Sequence, residues 1–265
     1  MHVELTLQRG RVLPPSPYPE LAPLRGTQYA IGDLCRFLQV EVPKRLDMDN
    51  TSFLLTTLRR RENLYRTGCK FENLYLVLSG LLMTSLFDED EIERPVSFPS
   101  RGDIVGVDGI ECGKYCAETT ALTPSLILIL PFKTVRTGSE KYAILNETFG
   151  QLICRELVGT RVTRHVIRNF RSEARVAHFL LEIAQKLTSS ELPLHPFRLP
   201  ISRREIGHFL SLTYETISRT LTAFHNQRII NVKGSDITLL DIPRLAALKP
   251  SSAVSAQWNP DDPIW

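Results

Sequence analysis

Residues 201–224, ISRREIGHFLSLTYETISRTLTAF, have the pattern of two short helices joined by a tight turn. Ser202 and Glu205 form an S-x-x-E capping box, which satisfies free amide groups at the start of the first helix. Thr213 follows a break in the pattern and is a typical cap for the second helix. Apolar residues at helical spacing predict the buried faces: Ile206, Phe209, Leu210, Ile217, Leu221 and Phe224.

The opposite face of the second helix carries polar side chains that can recognise DNA bases: Tyr214, Glu215, Ser218 and Arg219. A guanidinium can donate two hydrogen bonds to guanine, and a carboxylate can accept one from a cytosine amine. Residues 229–240 then predict two strands around the turn at Gly234. The alternative is a helix pair of unrelated function. A hairpin directly after a recognition helix is the wing of a winged helix, so the sequence favours DNA binding.

These motifs resemble the CRP/FNR family of bacterial transcription regulators. Residues 212–219, LTYETISR, are similar to the recognition-helix signature of the FNR and FixK branch. The matching residues of that branch read a TTGAT half-site, repeated as an inverted pair. The resemblance therefore implies base reading by Glu215, Ser218 and Arg219. We also expect contacts with the DNA backbone from a second set: Ser202, Arg203, Thr213, Tyr214, Thr216 and Lys233.

The distribution of charge agrees with a DNA-binding C-terminal part. The whole chain of 265 residues has a formal net charge of +3, whereas residues 160–250 carry 14 Lys plus Arg against 7 Asp plus Glu. A basic region joined to a more acidic one suits a DNA-binding domain attached to a second domain. The longest apolar run, residues 126–130, is far shorter than the roughly 20 residues that cross a bilayer. Since the N-terminus lacks a signal-peptide pattern, we expect a cytoplasmic protein without membrane contact.

The N-terminal half predicts a sensor domain. We interpret residues 29–58 as a helical lead-in and residues 71–132 as successive strands. The pattern at Leu74–Gly80 resembles the strand and turn of the family's cyclic-nucleotide-type β-roll, as does the G-D-x-x-G turn at Gly102–Gly106. In such a roll a Glu would bind the ribose and an Arg the cyclic phosphate. The corresponding residues 109–119 offer Glu111 for the ribose but contain no Arg, and Lys114 is a poor substitute for its bidentate fork. We therefore expect no cAMP binding.

The positions of the cysteines indicate whether the chain could bind an iron–sulfur cluster or act through thiol oxidation. The resemblance implies that an oxygen-sensing member holds an iron–sulfur cluster with four thiolates. Cys35 matches one of the four positions, whereas the others fall near Gly26, Tyr29 and Leu128. We expect no such cluster and no other metal. Haem stays open as an alternative. Cys112 and Cys116 form a C-x-x-x-C pair; they are either two reduced thiols or a redox switch.

A long helix is predicted from residue 143 to about 171. Its apolar stripe is longer than one small sheet could cover, and the resemblance implies that two copies pair along it. Since a two-fold DNA site needs two recognition helices about 34 Å apart, we favour a dimer over a helix buried within one chain. The expected dimerisation residues are Phe149, Leu152, Ile153, Leu157, Val162 and Val166.

The fold class is accordingly α+β: an N-terminal cyclic-nucleotide-type β-roll, a long dimerisation helix and a C-terminal winged helix-turn-helix. The expected segments are a flexible N-terminal arm (1–28), the β-roll sensor (29–142), the dimerisation helix (143–172), the DNA-binding domain (173–250) and a tail (251–265).

The motifs and the resemblance together imply a homodimeric transcription activator. It is expected to bind double-stranded DNA at a TTGAT-type inverted repeat and to contact RNA polymerase. The resemblance implies control of oxygen- or nitrogen-oxide-related genes. One alternative is a haem-dependent or thiol-dependent sensor of the same family, and another is a β-roll interaction module that does not act on DNA. We find no nucleophile–base pair or phosphate-binding Gly loop, so we expect no enzymatic activity.

Overall fold

The structure is a computed structural model that describes residues 28–37, 52–141, 143–188 and 196–248. The N-terminal part contains nine strands and three short helices among the described residues: β1 (Gln28–Ala30), α1 (Ile31–Phe37), β2 (Ser52–Leu58), β3 (Asn63–Tyr65), β4 (Asn73–Ser79), β5 (Leu82–Phe87), β6 (Glu93–Ser97), β7 (Ile104–Val105), α2 (Gly109–Cys112), β8 (Glu118–Ala121), β9 (Ser125–Pro131) and α3 (Phe132–Lys141).

These strands form two antiparallel sheets, in the orders β1-β2-β9-β4-β7 and β3-β8-β5-β6. The apolar strand β9 lies between β2 and β4, with Ile127 and Leu128 fully buried. Gly80 makes the expected turn after β4 with φ of 97°, and a Cβ there would lie 2.2 Å from Ser125 Oγ. The structure thus contains the β-roll that the sequence predicted.

The interpretation of residues 29–58 as a helical lead-in was wrong in part. Only Ile31–Phe37 is helical among the described residues of this stretch, and Ser52–Leu58 is strand β2. β2 pairs with β9 over five consecutive positions, from Leu54 opposite Ile129 to Leu58 opposite Ser125. Pairing with a distant strand decides this structure, and short apolar runs do not distinguish a strand from a helix by periodicity alone.

The predicted long helix is confirmed as α4 (Ala143–Asn169), and α5 (Ser172–Thr188) follows it. The apolar stripe of α4 is divided. Phe149 and Leu152 are buried against the roll in one cluster with strands β4 and β9, whereas Ile153 and Leu157 are exposed. Within the described part of the chain, no helix is long and apolar enough to cross a membrane.

The C-terminal part is a winged helix-turn-helix, as the sequence predicted. Its further elements are β10 (Phe197–Arg198), α6 (Arg203–Leu210), α7 (Tyr214–Asn226), β11 (Ile230–Lys233), β12 (Asp236–Leu239) and α8 (Ile242–Ala247). β11 and β12 form the hairpin around Gly234, whose φ is 65°, and β10 extends it to three strands.

One apolar core runs from the roll into the DNA-binding domain. The ring of Phe98, just after β6, lies 5.7 Å from that of Phe179 on α5 and 4.9 Å from that of Phe209 on α6. The buried residues Leu81, Met83 and Leu122 of the roll belong to the same cluster, so packing holds α6 against the roll.

Polar contacts surround this aromatic group. Lys186 Nζ on α5 donates to the carbonyl oxygen of Phe98 over 2.9 Å. His208 Nδ1 on α6 lies 3.1 Å from the Glu93 carbonyl oxygen. Arg61 forms a 3.3 Å ion pair with Glu205, at the start of α6. We call these contacts and the three Phe rings the interdomain joint.

We predict that Phe98→Ala will lower the free energy of unfolding by about 3–5 kcal/mol, because it leaves a cavity between the roll and both helices. Phe87→Ala is the matched control, since Phe87 is 45% exposed on β5. Chemical denaturation of the two variants measures the difference. Equal destabilisation by both substitutions would contradict the packing of Phe98 between the two domains.

Candidate nucleic-acid interface

The start of α6 is fixed by the capping box that the sequence predicted. Ser202 Oγ accepts a hydrogen bond from the Glu205 amide over 3.2 Å, and Glu205 accepts one from the Ser202 amide over 2.5 Å. Two amides that lack helical partners are thereby satisfied. Because Glu205 also pairs with Arg61, the same carboxylate caps the helix and contacts the roll.

A tight turn then sets the direction of α7. Ser211 closes α6 in the left-handed conformation, with φ of 54°, and the Leu212 amide donates to the Gly207 carbonyl over 2.8 Å. Gly207 is buried in the helix, and a Cβ at this position would lie 2.7 Å from the Leu212 carbonyl oxygen. The turn therefore packs closely on α6 at a point where a side chain has no room.

Helix α7 presents one face to the core and the other to solvent. Thr213 caps it, because the Thr213 hydroxyl oxygen accepts a hydrogen bond from the Thr216 amide over 3.2 Å. The expected inner residues are confirmed as buried: Ile217, Leu221 and Phe224. On the outer face Glu215 and Arg219 are exposed. An amphipathic helix held in this way displays its polar face as a rigid unit.

The structure brings Ser218 into contact with Arg203. One Arg203 guanidinium nitrogen donates to Ser218 Oγ over 3.2 Å, which joins the first residue of α6 to the second turn of α7. This contact orients the Ser218 hydroxyl. Residue types and spacing predicted both side chains as DNA contacts, but no local pattern indicates that they bind each other.

The other residues expected to contact the DNA backbone lie at the starts of α6 and α7 and in the wing. Ser202, Thr213 and Tyr214 are exposed at the two helix starts, whereas Thr216 is partly buried, with its hydroxyl 2.9 Å from that of Thr213. Lys233 is exposed at the end of β11 in the wing. Exposed cations are also present nearby in sequence, at Arg204 and Arg228. Cations and helix N-termini of this kind suit phosphate contacts.

The interior of the roll is filled by aromatic rings at the segment where the resemblance would place a nucleotide-binding Arg. Tyr115 is buried and stacks on Tyr65 with ring centroids 4.1 Å apart, and its hydroxyl donates to the Asn73 carbonyl over 2.8 Å. Burial raises the pKa of Tyr115, and so does its hydrogen bond with Tyr75. Lys114 is exposed, so it does not take the place of a buried phosphate-binding Arg.

The residues at the positions named for an iron–sulfur cluster do not fit one. Leu128 is fully buried in the apolar core on β9, and the Tyr29 phenol is not a thiolate ligand. Gly26 lies outside the described residues. In the part of the chain that is described, no group of three or more His, Cys, Asp or Glu side chains is placed to hold a metal ion.

The interdomain joint has no counterpart among the patterns of the sequence. Arg61, Phe98 and Lys186 contribute to it from three separate parts of the chain. None of them belongs to a periodic pattern shared with α6, so the spacing of residues carries no signal for these contacts.

Comparisons with known proteins agree with this architecture. A model described as "Cyclic nucleotide-binding domain" matches residues 55–142, and one described as "Crp-like helix-turn-helix domain" matches residues 174–248. The chain is 29% identical over 220 residues to the fumarate and nitrate reduction regulatory protein of Salmonella typhimurium, covering 81% of this chain and 88% of that protein.

Two further relatives extend the comparison. The transcriptional activator protein anr of Pseudomonas aeruginosa is 27% identical over 219 residues, covering 83% of this chain and 90% of that one. The structure of FixK2 from Bradyrhizobium japonicum superimposes with a TM-score of 0.66 and 24% identity, covering 76% of this chain and 99% of that chain. This structural likeness supports the fold.

We predict that Gly207→Ala will destabilise the protein by about 1–3 kcal/mol, because the new methyl group overlaps the Leu212 carbonyl. Gly159→Ala is the control, since a Cβ at that helical position meets nothing within 4 Å. Alanine is the better helix former, so we expect it to stabilise by about 0.5–1 kcal/mol. Urea unfolding checks both values. The close packing of the turn is disproved if Gly207→Ala is as stable as the wild type.

Proposed function

Because the chain belongs to the CRP/FNR family of DNA-binding transcription regulators, we propose that it binds a TTGAT-type inverted repeat as a homodimer. The observation that carries the proposal is the polar outer face of α7, where Glu215 and Arg219 are exposed on a helix whose inner face is buried. Its rigid capping and packing would keep these side chains in one orientation.

Base reading is assigned to three residues of α7. The Arg219 guanidinium would donate two hydrogen bonds to a guanine, and Glu215 would accept one from a cytosine amine. Ser218 would add a hydroxyl contact, with Arg203 holding its orientation. All three lie in the first two turns of the helix, from which recognition helices reach base edges.

Backbone contacts would set the position of the domain on the duplex. The free amides at the starts of α6 and α7 lie beside the cap residues Ser202 and Thr213, and helix N-termini attract phosphate groups. Lys233 on the wing and Arg203 supply positive charge. Such contacts carry affinity without sequence preference, and they weaken as salt rises.

A dimer would bring two such helices to the two half-sites. Among the residues of α4 whose side chains the structure describes, the large apolar side chains of Ile153 and Leu157 are exposed, at 36% and 48%, and Val162 is partly buried. Phe149, Leu152 and Val166 are already buried within the chain. We therefore assign the partner contact mainly to Ile153 and Leu157, and the other three to the packing of α4.

The regulatory setting is proposed from the relatives. The proteins named for fumarate and nitrate reduction and the activator anr match over more than four fifths of this chain. We propose an activator that contacts RNA polymerase and controls oxygen- or nitrogen-oxide-related genes. Three inputs fit the proposal: no effector, as in the FixK-like case, a haem group or thiol oxidation. An absorption spectrum of protein purified without oxygen distinguishes haem from the two colourless cases.

We predict that Arg219→Ala will weaken binding to the preferred duplex by about 1–3 kcal/mol and reduce its preference over a scrambled duplex. The loss is specific because the guanidinium would contact a base. Fluorescence anisotropy at one fixed salt concentration measures both affinities. Arg136→Ala removes the same charge from an exposed position on α3 and should keep the preference. If Arg219→Ala weakens binding to both duplexes equally, Arg219 contacts only the backbone.

We predict that Leu157→Asp will convert a dimer into a monomer, because the carboxylate would be buried without a partner in the contact between two copies of α4. Sedimentation velocity measures the oligomeric state. Leu86→Asp is the matched control, since Leu86 is 44% exposed on β5. A monomeric wild-type protein would contradict the proposed dimer, and a Leu157→Asp dimer as stable as the control would contradict this contact.

Selective binding to the inverted repeat would also exclude the alternative that the protein is a β-roll interaction module that does not act on DNA. That alternative would show equal, weak affinity for every duplex under all conditions tested, including those with haem and with thiol oxidant.

A further inference from the structure

Two cysteine thiols are brought together at the surface of the roll. Cys112 ends α2, and Gly113 turns the chain back in the left-handed conformation, with φ of 68° and its amide donating to the Gly109 carbonyl over 3.0 Å. The Cys112 thiol is near enough to the Cys116 thiol to contribute to raising its pKa, and Cys116 Sγ lies 3.7 Å from the Asp108 carbonyl oxygen and 3.9 Å from the Lys114 carbonyl oxygen. Both cysteines are exposed, so small reagents in solution can reach them.

Hydrogen bonds and a buried ring fix the conformation of the turn that carries the two thiols. One carboxylate oxygen of Asp108 accepts from the amides of Cys116 and Ala117, over 2.7 and 2.9 Å. Tyr115, between the cysteines, is buried in the aromatic interior, and its amide donates to the Cys69 carbonyl over 3.0 Å. Backbone and ring contacts therefore order this turn before any bond forms between the thiols, which lowers the entropic cost of joining them.

We propose that Cys112 and Cys116 form a reversible dithiol–disulfide site that exchanges with small disulfides such as oxidised glutathione. This inference specifies one of the inputs left open above. Its use in regulation rests on the proposed function, but its chemistry does not. Disulfides in a reducing compartment are commonly transient and redox-sensing, which suits an exposed pair of this kind.

The exchange balances in two steps. The thiolate of one cysteine attacks a sulfur of oxidised glutathione, which forms a protein–glutathione disulfide and releases one glutathione thiolate that takes up a proton. The second cysteine loses its proton and attacks the protein sulfur of that mixed disulfide. The glutathione leaves as a second thiol, and the Cys112–Cys116 bond forms. Two protein thiols are oxidised and one glutathione disulfide is reduced to two thiols.

The rate of this reaction depends on the thiolate form of the attacking cysteine. Desolvation within the turn raises the pKa of the Cys116 thiol, and its hydrogen bond with Cys112 adds to the effect. Because the thiolate is the attacking species, exchange at neutral pH should be slow and should accelerate as the pH rises. The site would thus respond to a sustained change in the thiol–disulfide balance.

Two other exposed cysteines provide matched controls. Cys69 lies near the same turn, with its carbonyl bound to the Tyr115 amide, and Cys154 lies on α4. Serine at either position leaves the Cys112–Cys116 pair intact. Serine at Cys112 or Cys116 removes one partner at an exposed position, where the change in volume is small, and circular dichroism can verify that each variant folds.

The test incubates the full-length protein with set ratios of reduced to oxidised glutathione, traps free thiols with a maleimide and maps disulfides by mass spectrometry. We expect the wild type, Cys69→Ser and Cys154→Ser to form a Cys112–Cys116 disulfide that dithiothreitol reverses. The internal bond should exceed the glutathione adduct at these cysteines by about tenfold, because an intramolecular thiol outcompetes a second glutathione. Its initial rate should rise between about pH 7 and pH 9.

Cys112→Ser and Cys116→Ser should instead stop at a glutathione adduct on the remaining cysteine. The proposal is overturned if the wild type also stops at adducts, if its internal disulfide joins other cysteines, or if dithiothreitol does not reverse the bond. DNA binding does not enter this measurement. Failure of the disulfide proposal is therefore distinguishable from failure of the proposed DNA recognition.

Discussion

The packing of Phe98 against Phe179 and Phe209 is the contact on which the arrangement of the molecule depends. It makes the core of the roll continuous with the core of the DNA-binding domain. Since α6 is held against the roll at Phe209 and α7 is held against α6, the position of the outer face of α7 depends on an aromatic cluster at a distance from it. Lys186 strengthens the cluster: burial opposes its charge and lowers its pKa, but Glu182, Asp103 and Glu156 together outweigh burial and raise the pKa.

Glu205 takes part both in the helix-turn-helix and in the packing of the two domains. The same side chain caps α6, completes the box with Ser202 and pairs with Arg61 of the roll. Arg203, next to that cap, then reaches Ser218 on the recognition helix. A change in the contact between the roll and α6 would therefore act on the start of the helix from which Arg203 contacts Ser218, a proposed base-reading residue. A short series of contacts thus joins the roll to the outer face of α7.

Local elements of both the roll and the DNA-binding domain could be predicted from the sequence because each has a local cause. The capping box at Ser202, the turn at Gly80 and the buried stripe of α7 all depend on neighbouring residues. Strand β2 was missed because pairing with the distant β9 decides its structure. The exposed face of α7 could also be predicted, whereas the contact of Arg203 with Ser218 could not, because it joins side chains from two helices across a turn. The roles of Glu215, Ser218 and Arg219 in base reading remain predictions.

The central claim is selective recognition of a two-fold site by the outer face of α7. The most direct measurement is fluorescence anisotropy of the full-length protein with a TTGAT-N4-ATCAA duplex and with a scrambled duplex of equal length, at one fixed salt concentration. The measurement is made on protein as purified, then with haem and with thiol oxidant or reductant added. We expect at least one of these states to bind the inverted repeat more tightly than the scrambled duplex, with two protomers per duplex. Equal affinity for the two duplexes in every state would contradict it.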